Sequence, residues 1–269
     1  MRLGRLFAAF AIAAFAVFAR DLSAHDTWLL PASMRVPVGK PVMLSLTSGM
    51  AFPVDDFVID AKRITRANVR LAGVTSDLVN PTPASKSLHF EWTPATSGVA
   101  VFAVELAPKV LTLAPDKIEE YFADINAQKE LRAEWERIPK PRAWRESYTK
   151  HASSFVQVGE AANATSWRQP TGMGFEIVPE TNPVTVTAGQ LFKVRVMRNG
   201  KGVAGLQVGR QREGETAVEF TTTDAGGHAS MKLARAGRWL VNVTDLRRAN
   251  RPDLEWQSDF ATLTIGVAP

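Results

Sequence analysis

The 269 residues are 45% hydrophobic and 22% charged, the balance of a globular chain with a core rather than of a disordered one. A formal charge of +5 is spread along the chain instead of gathered into a basic stripe, which argues against a nucleic-acid surface. Cysteine is absent, which excludes disulfides, a thiolate metal site, a cysteine nucleophile and a lipid-modified cysteine anchor.

The first element reads as an export leader over 1–24. Arg2 and Arg5 precede an apolar run from Leu6 to Ala19 that is short for a membrane span and close to the start of the chain. Two cut sites compete. Ala24 is a suitable last leader residue, although Leu22 two positions earlier is larger than usual; a cut after Ala19, with Val17 in the earlier position, would leave Arg20 first. The choice matters chemically. With a cut after Ala24, His25 would be the terminal residue, offering its α-amino nitrogen and imidazole Nδ1 to one metal ion in a small chelate ring. An internal histidine offers one nitrogen. Such a pair suits Cu(II), Ni(II), Co(II) or Zn(II), in an affinity order that peaks at copper.

From residue 25 to about 112 short apolar segments alternate with turn residues. Val42–Leu46, Asn68–Leu71, Ser87–Trp92 and Gly98–Leu106 are the strand candidates, and their spacing predicts an N-terminal β-sandwich. The character changes at Ala114-Pro115-Asp116, where Pro115 suits a first helical position. Ile118, Phe122 and Ile125, then Leu131, Trp135 and Ile138, recur at helical spacing until Pro139 and Pro141. A second helix is expected beyond, with Trp144, Tyr148 and Phe155 on one face, so that residues 113–173 form a helical connector. Residues 174–269 return to strands: 174–179, 191–197, 203–208, 217–222, 231–233, 239–243 and 261–265, with Asn199-Gly200 as a hairpin turn. The expected fold is mainly β, two immunoglobulin-like or transthyretin-like sandwiches joined by a helical segment. Trp28, Trp92 and Trp239 lie in or beside strands and read as core anchors.

Several segments resemble the periplasmic NikM-like family, also described as domain of unknown function 4198. The likeness begins at Ala24-His25-Asp26-Thr27-Trp28-Leu29 and continues through 148–159, 175–183, 223–227, 236–240 and 261–265. It implies a periplasmic location, a two-part β-rich fold and an association with uptake of nickel, cobalt or related metals, with a membrane metal transporter as a partner. Some relatives carry a histidine in a Gly-His-x-Phe-Pro segment. This chain has Gly49-Met50-Ala51-Phe52-Pro53, which puts a thioether in place of an imidazole and favours Cu(I) over Ni(II) there.

The candidate metal ligands are therefore His25, Asp26, His89, His151 and Met50, and each has a plain structural reading beside the chemical one. His89 falls between Leu88 and Phe90, so strand alternation points it away from the core. His151 shares the apolar side of the expected helix with Tyr148 and Phe155, where a packed, hydrogen-bonded histidine is the simpler reading. His228 follows a glycine turn, Met50 could be a core filler, and Asp55 and Asp56 could keep a loop soluble. No His-x-x-x-His pair, nucleophile elbow or phosphate loop is present, so no catalytic residue is assigned. An Asn163-Ala164-Thr165 sequon has meaning only where proteins are glycosylated. The expected function is a metal-binding accessory protein. The alternatives are a copper-dependent oxidase or oxygenase using His25, and a metal-free carrier or adhesion module.

Overall fold

Alternating apolar residues with frequent turn residues produce nineteen strands among residues 25–161 and 164–269, the part that the computed structural model describes. The leader, both cut sites and Asn163 lie outside those residues. The first strands are β1 (Asp26–Pro31), β2 (Arg35–Val36), β3 (Val42–Gly49), β4 (Phe57–Val58), β5 (Ile64–Leu71), β6 (Val74–Asp77), β7 (Thr82–Pro83), β8 (Leu88–Trp92), β9 (Gly98–Leu106) and β10 (Lys109–Leu113). Two helices follow, α1 (Ile118–Asp124) and α2 (Lys129–Arg137), and then the long strand β11 (Trp144–Val158). The last third comprises β12 (Phe175–Pro179), β13 (Leu191–Arg198), β14 (Lys201–Gly202), β15 (Gln207–Arg212), β16 (Glu219–Thr222), β17 (His228–Lys232), β18 (Gly237–Arg248) and β19 (Trp256–Val267). No helix among the described residues is long and apolar enough to cross a membrane.

These strands make three sheets. A ten-stranded sheet has the order β16-β15-β18-β19-β11-β9-β5-β6, with β10 and β2 also paired to β11. A five-stranded sheet, β1-β3-β8-β7 with β4 beside β3, covers part of one face of it. A four-stranded sheet, β12-β13-β14 with β17 on β13, covers part of the other. The chain is thus mainly β, built in sandwich layers, with one short helical segment.

The two sandwiches share their largest sheet. β11 pairs antiparallel with β9 at Phe155–Val158 and parallel with β19 at Glu146–Ser154, so one strand joins the N-terminal and C-terminal strands. Its alternation serves two cores. Ala152, Val156 and Val158 face Leu44, Leu46, Phe90 and Phe102 on one side. Phe155 faces Phe175, Phe192, Val194 and Leu263 on the other. Further along the first side, Trp144 and Tyr148 pack with Trp256, Phe260 and the helical residues Tyr121, Phe122 and Trp135.

The helix expected after Pro141 is therefore corrected to a strand. Trp144 and Tyr148 are four residues apart, a separation that is on one face of a helix and equally on one face of a strand, because four is a multiple of two. Phe155, an odd number of residues away, belongs to the opposite face. The run Ser147, Thr149, Ser153, Ser154 with Val156 and Val158 suits a pleated surface better than a helix. The first helical pattern holds in part: the single helix expected before Pro139 is two, α1 and α2, broken at 125–128, with Ile118, Tyr121, Phe122 and Trp135 buried. The strand expected at 203–208 instead begins at Gln207, after the Asn199-Gly200 hairpin whose two φ values are 48° and 75°.

Candidate functional site

β1 is an edge strand of the five-stranded sheet and crosses the face of the ten-stranded one. Its register with β3 runs from Asp26↔Gly49 to Pro31↔Leu44. Trp28 fixes the strand: 1% exposed, it packs with Leu240 and edge-on against Phe52, with ring centroids 5.7 Å apart. A Cβ on Gly49 would come within 2.9 Å of the Trp28 indole, so only glycine permits this approach.

Three adjacent strands of the large sheet hold the first three described residues. Lys150 Nζ on β11 donates to the His25 carbonyl oxygen. Asn242 Nδ2 on β18 donates to Asp26 Oδ2 at 2.6 Å. Thr262 Oγ1 on β19 donates to the Thr27 carbonyl at 2.6 Å. Asn242 and Thr262 are cross-strand partners and Thr262 is paired with Ala152, so the anchors come from one region of the sheet. The His25 ring is stacked on Phe57, with centroids 4.9 Å apart and planes at 17°.

The electrostatics follow from burial. Lys150 is 3% exposed, and its ammonium is pushed down to about 7, first by desolvation and then by Arg63 and Lys109, while Asp26 and Glu146 work in the other direction. Its Nζ lies 5.5 Å from the Tyr148 ring centroid and 5.3 Å from that of Phe260. Burial raises the Asp26 carboxyl, opposed by the Asn242 hydrogen bond and by Lys150. Both partners are therefore drawn toward their uncharged forms. Glu146, fully buried, is also raised by desolvation although it accepts from Tyr121 Oη at 2.9 Å, Trp144 Nε1 at 2.8 Å and Ser258 Oγ.

His151, His89 and His228 each meet partners other than His25. His151 is on the opposite face of β11 from Lys150. There its Nδ1 meets the Phe260 carbonyl at 3.1 Å, and its Nε2 is 3.5 Å from Glu105 Oε2. It is the packed, hydrogen-bonded histidine that the simpler reading describes, on a strand instead of a helix. His89 projects from β8 between buried Leu88 and Phe90 and meets Ser87 Oγ at 3.1 Å. His228 contacts Glu180 at 2.9 Å in the four-stranded sheet. Met50 is 56% exposed and follows Gly49, the residue paired with Asp26, so it lies just beyond the end of the β1–β3 ladder on the side of His25. Asp55 accepts from Ser45 Oγ, and Asp56 pairs with Lys86 at 3.8 Å.

Among the described residues no group of three or more His, Cys, Asp or Glu converges as a metal cage. A free amine at His25 would complete an amine–imidazole donor pair, with the Met50 thioether on the same side of the ladder; side chains alone do not supply such a set.

Residues 22–245 match the family described as domain of unknown function 4198 (DUF4198). The chain belongs to the DUF4198 family. No curated protein sequence matches it. Among solved structures, the DUF4198 chain is similar to the Yersinia pseudotuberculosis adhesin InvE (10% identity, TM-score 0.24), covering 91% of this chain and 59% of that one. It is similar to the mouse nectin-like molecule 4 ectodomain (10%, 0.20), covering 90% of this chain and 64% of that one. It is also similar to murine CEACAM1b (10%, 0.21), covering 90% of this chain and 98% of that one. The chain thus spans less than two thirds of the length of the first two. Scores this low do not superpose one fold on another.

Lys150, Asn242 and Thr262 were not legible as site residues from the sequence. Lys150 lies in the segment 148–159 that carries the family likeness, but a helical reading gave it no defined side. Read as a strand, the alternation Trp144, Glu146, Tyr148, Lys150 would have placed a lysine on a buried face.

Proposed function

We propose that this DUF4198 protein is an exported, periplasmic metal-binding accessory protein, taking one divalent transition metal (nickel, cobalt or copper) at a terminal His25. Its role would be metal uptake or handling beside a membrane transporter. The observation that supports this reading is the fixing of His25 on both sides: its ring by Phe57 and its carbonyl by Lys150. A histidine at the start of an exported chain has no structural need for such restraint, whereas a chelate gains from it, because ordering its donors before binding removes an entropic penalty. When bound, the metal would have the imidazole and α-amino nitrogens from this chain. Asp26, turned to Asn242 and Lys150, is a neighbour that sets local charge.

Binding, not turnover, is the activity that the geometry favours. A copper-oxidising site built on a terminal histidine needs a second imidazole beside the first, and His89, His151 and His228 are engaged at Ser87, Phe260 with Glu105, and Glu180.

The test is calorimetric titration of Cu(II), Ni(II), Co(II) and Zn(II) into protein beginning at His25. One-to-one binding that weakens as pH falls is expected, since both nitrogens must be unprotonated. No specific heat with any of the four would reject the reading.

A further inference from the structure

We propose that Lys150 is the positioning residue of the terminal chelate, fixing the direction in which the His25 α-amino group points. This rests on the metal reading above and adds a named residue and a geometric cause to it.

The argument is one of substituents on a single carbon. The His25 Cα carries its nitrogen, its carbonyl carbon, Cβ and a hydrogen. The carbonyl is held by Lys150, from a position 125 residues later in the chain. The ring is held by its stack on Phe57. With two of the three heavy substituents fixed, tetrahedral geometry leaves one direction for the third, the nitrogen. Both donors are then ordered before a metal arrives. Thr262 and Asn242 hold Thr27 and Asp26 and so prevent the strand from sliding. The Lys150 contact acts directly on the chelating residue.

Lys150 is also placed for this task and poorly placed for others. Lys150 is 3% exposed, and its Nζ lies 5.5 Å and 5.3 Å from the Tyr148 and Phe260 ring centroids, so its stem is buried beside two aromatic rings. A stem confined in that way loses little further freedom on holding a carbonyl.

Charge and position predict opposite signs for Lys150→Met, which keeps the length of the stem and removes the donor. If Lys150 acted by charge alone, removing a positive group beside a cation would tighten metal binding. If it positions the donors, binding weakens. The experiment compares wild-type, Lys150→Met and Lys150→Arg proteins, each processed to begin at His25, by Cu(II) affinity at fixed pH and by Cu(II) electron paramagnetic resonance. One sharp Cu(II) species is expected in wild type. Lys150→Met should bind roughly tenfold or more weakly, with a broadened or mixed spectrum, in line with the freedom of an unrestrained rotamer. Lys150→Arg, which still donates to the carbonyl, should restore a single species.

Affinity and spectrum unchanged or improved in Lys150→Met would overturn the positioning role while leaving the metal site intact. Absence of any specific Cu(II) signal in wild type would overturn the metal reading and this inference together. Should Lys150→Met not fold, the wild-type spectrum decides: one species supports a fixed chelate, and a mixture contradicts it.

Discussion

Lys150 Nζ donates to the carbonyl oxygen of His25, linking the central strand of the largest sheet to the first described residue of the chain. The contact holds the Lys150 amine in a side chain with 3% exposure, 5.5 Å and 5.3 Å from the Tyr148 and Phe260 ring centroids. Such burial disfavours the charged amine, and the position should report itself in the pH dependence of folding.

In the metal-free protein, Lys150 is pushed to about 7 from an unfolded value near 10.5. Between these values the unfolded chain holds a proton that the folded chain has released, so stability should rise with pH from about 7 to 10. The size is on the order of 5 kcal/mol, from the free energy of a pKa unit. Asp26, raised in the fold, acts in the opposite sense and in a more acidic window: its contribution is full below 3.8 and is lost as pH rises through its folded value. Urea unfolding at several pH values should show the rise in wild type and a flatter profile in Lys150→Met. An equal slope in both proteins would contradict the assignment.

Glu146 is the acceptor for three buried donors, from Tyr121, Trp144 and Ser258. Glu146→Ala leaves all three without it, at a cost of about 1–3 kcal/mol for each. The variant should lose several kcal/mol and loosen the aromatic cluster, seen as a red shift of tryptophan emission. Stability within about 0.5 kcal/mol of wild type, the range of an ordinary surface substitution, would be inconsistent with this network.

Gly49→Ala should displace Trp28, since the new methyl would lie 2.9 Å from its indole and 3.1 Å from Asp56 Cβ. A loss of about 1–3 kcal/mol is expected from overpacking. The denaturation midpoint measures it, and an unchanged midpoint would show that β1 has slack at this point.

The shared sheet predicts that residues 174–269 do not fold alone. β19 lies between β18 and β11 and pairs with β11 over nine residues, and Trp256 and Phe260 pack on Trp144 and Tyr148. Cutting before residue 174 exposes that edge and that apolar surface. A fragment 174–269 with a dispersed amide spectrum and a cooperative melt would show that the C-terminal sandwich is autonomous after all.

Much of the fold was legible from alternation. Gly98–Leu106 was read to its exact bounds because both of its faces are buried and the run is continuously apolar. The helical stretch before Pro139 was legible because its apolar period is helical and proline marks the stop, but the break between α1 and α2 was not. β11 was not, because a polar strand buried on both faces by two different layers shows neither a clean alternation nor an apolar run. With it went Lys150, whose meaning depends on which face it occupies. Asn242 and Thr262 gave no signal at all, being polar residues whose partners are more than two hundred positions away.

The central claim is that the His25 amine and imidazole act together as one site, and a single comparison tests it most directly. Metal affinity at fixed pH is measured for protein beginning at His25 and for the same protein with one methionine added before it. The added residue moves the α-amino group out of reach and leaves the imidazole, Phe57 and Lys150 in place. The account predicts a loss of affinity on the order of several kcal/mol, a substantial part of the free energy of a protein metal site. Equal affinities for the two proteins would show that the terminal chelate is not the site.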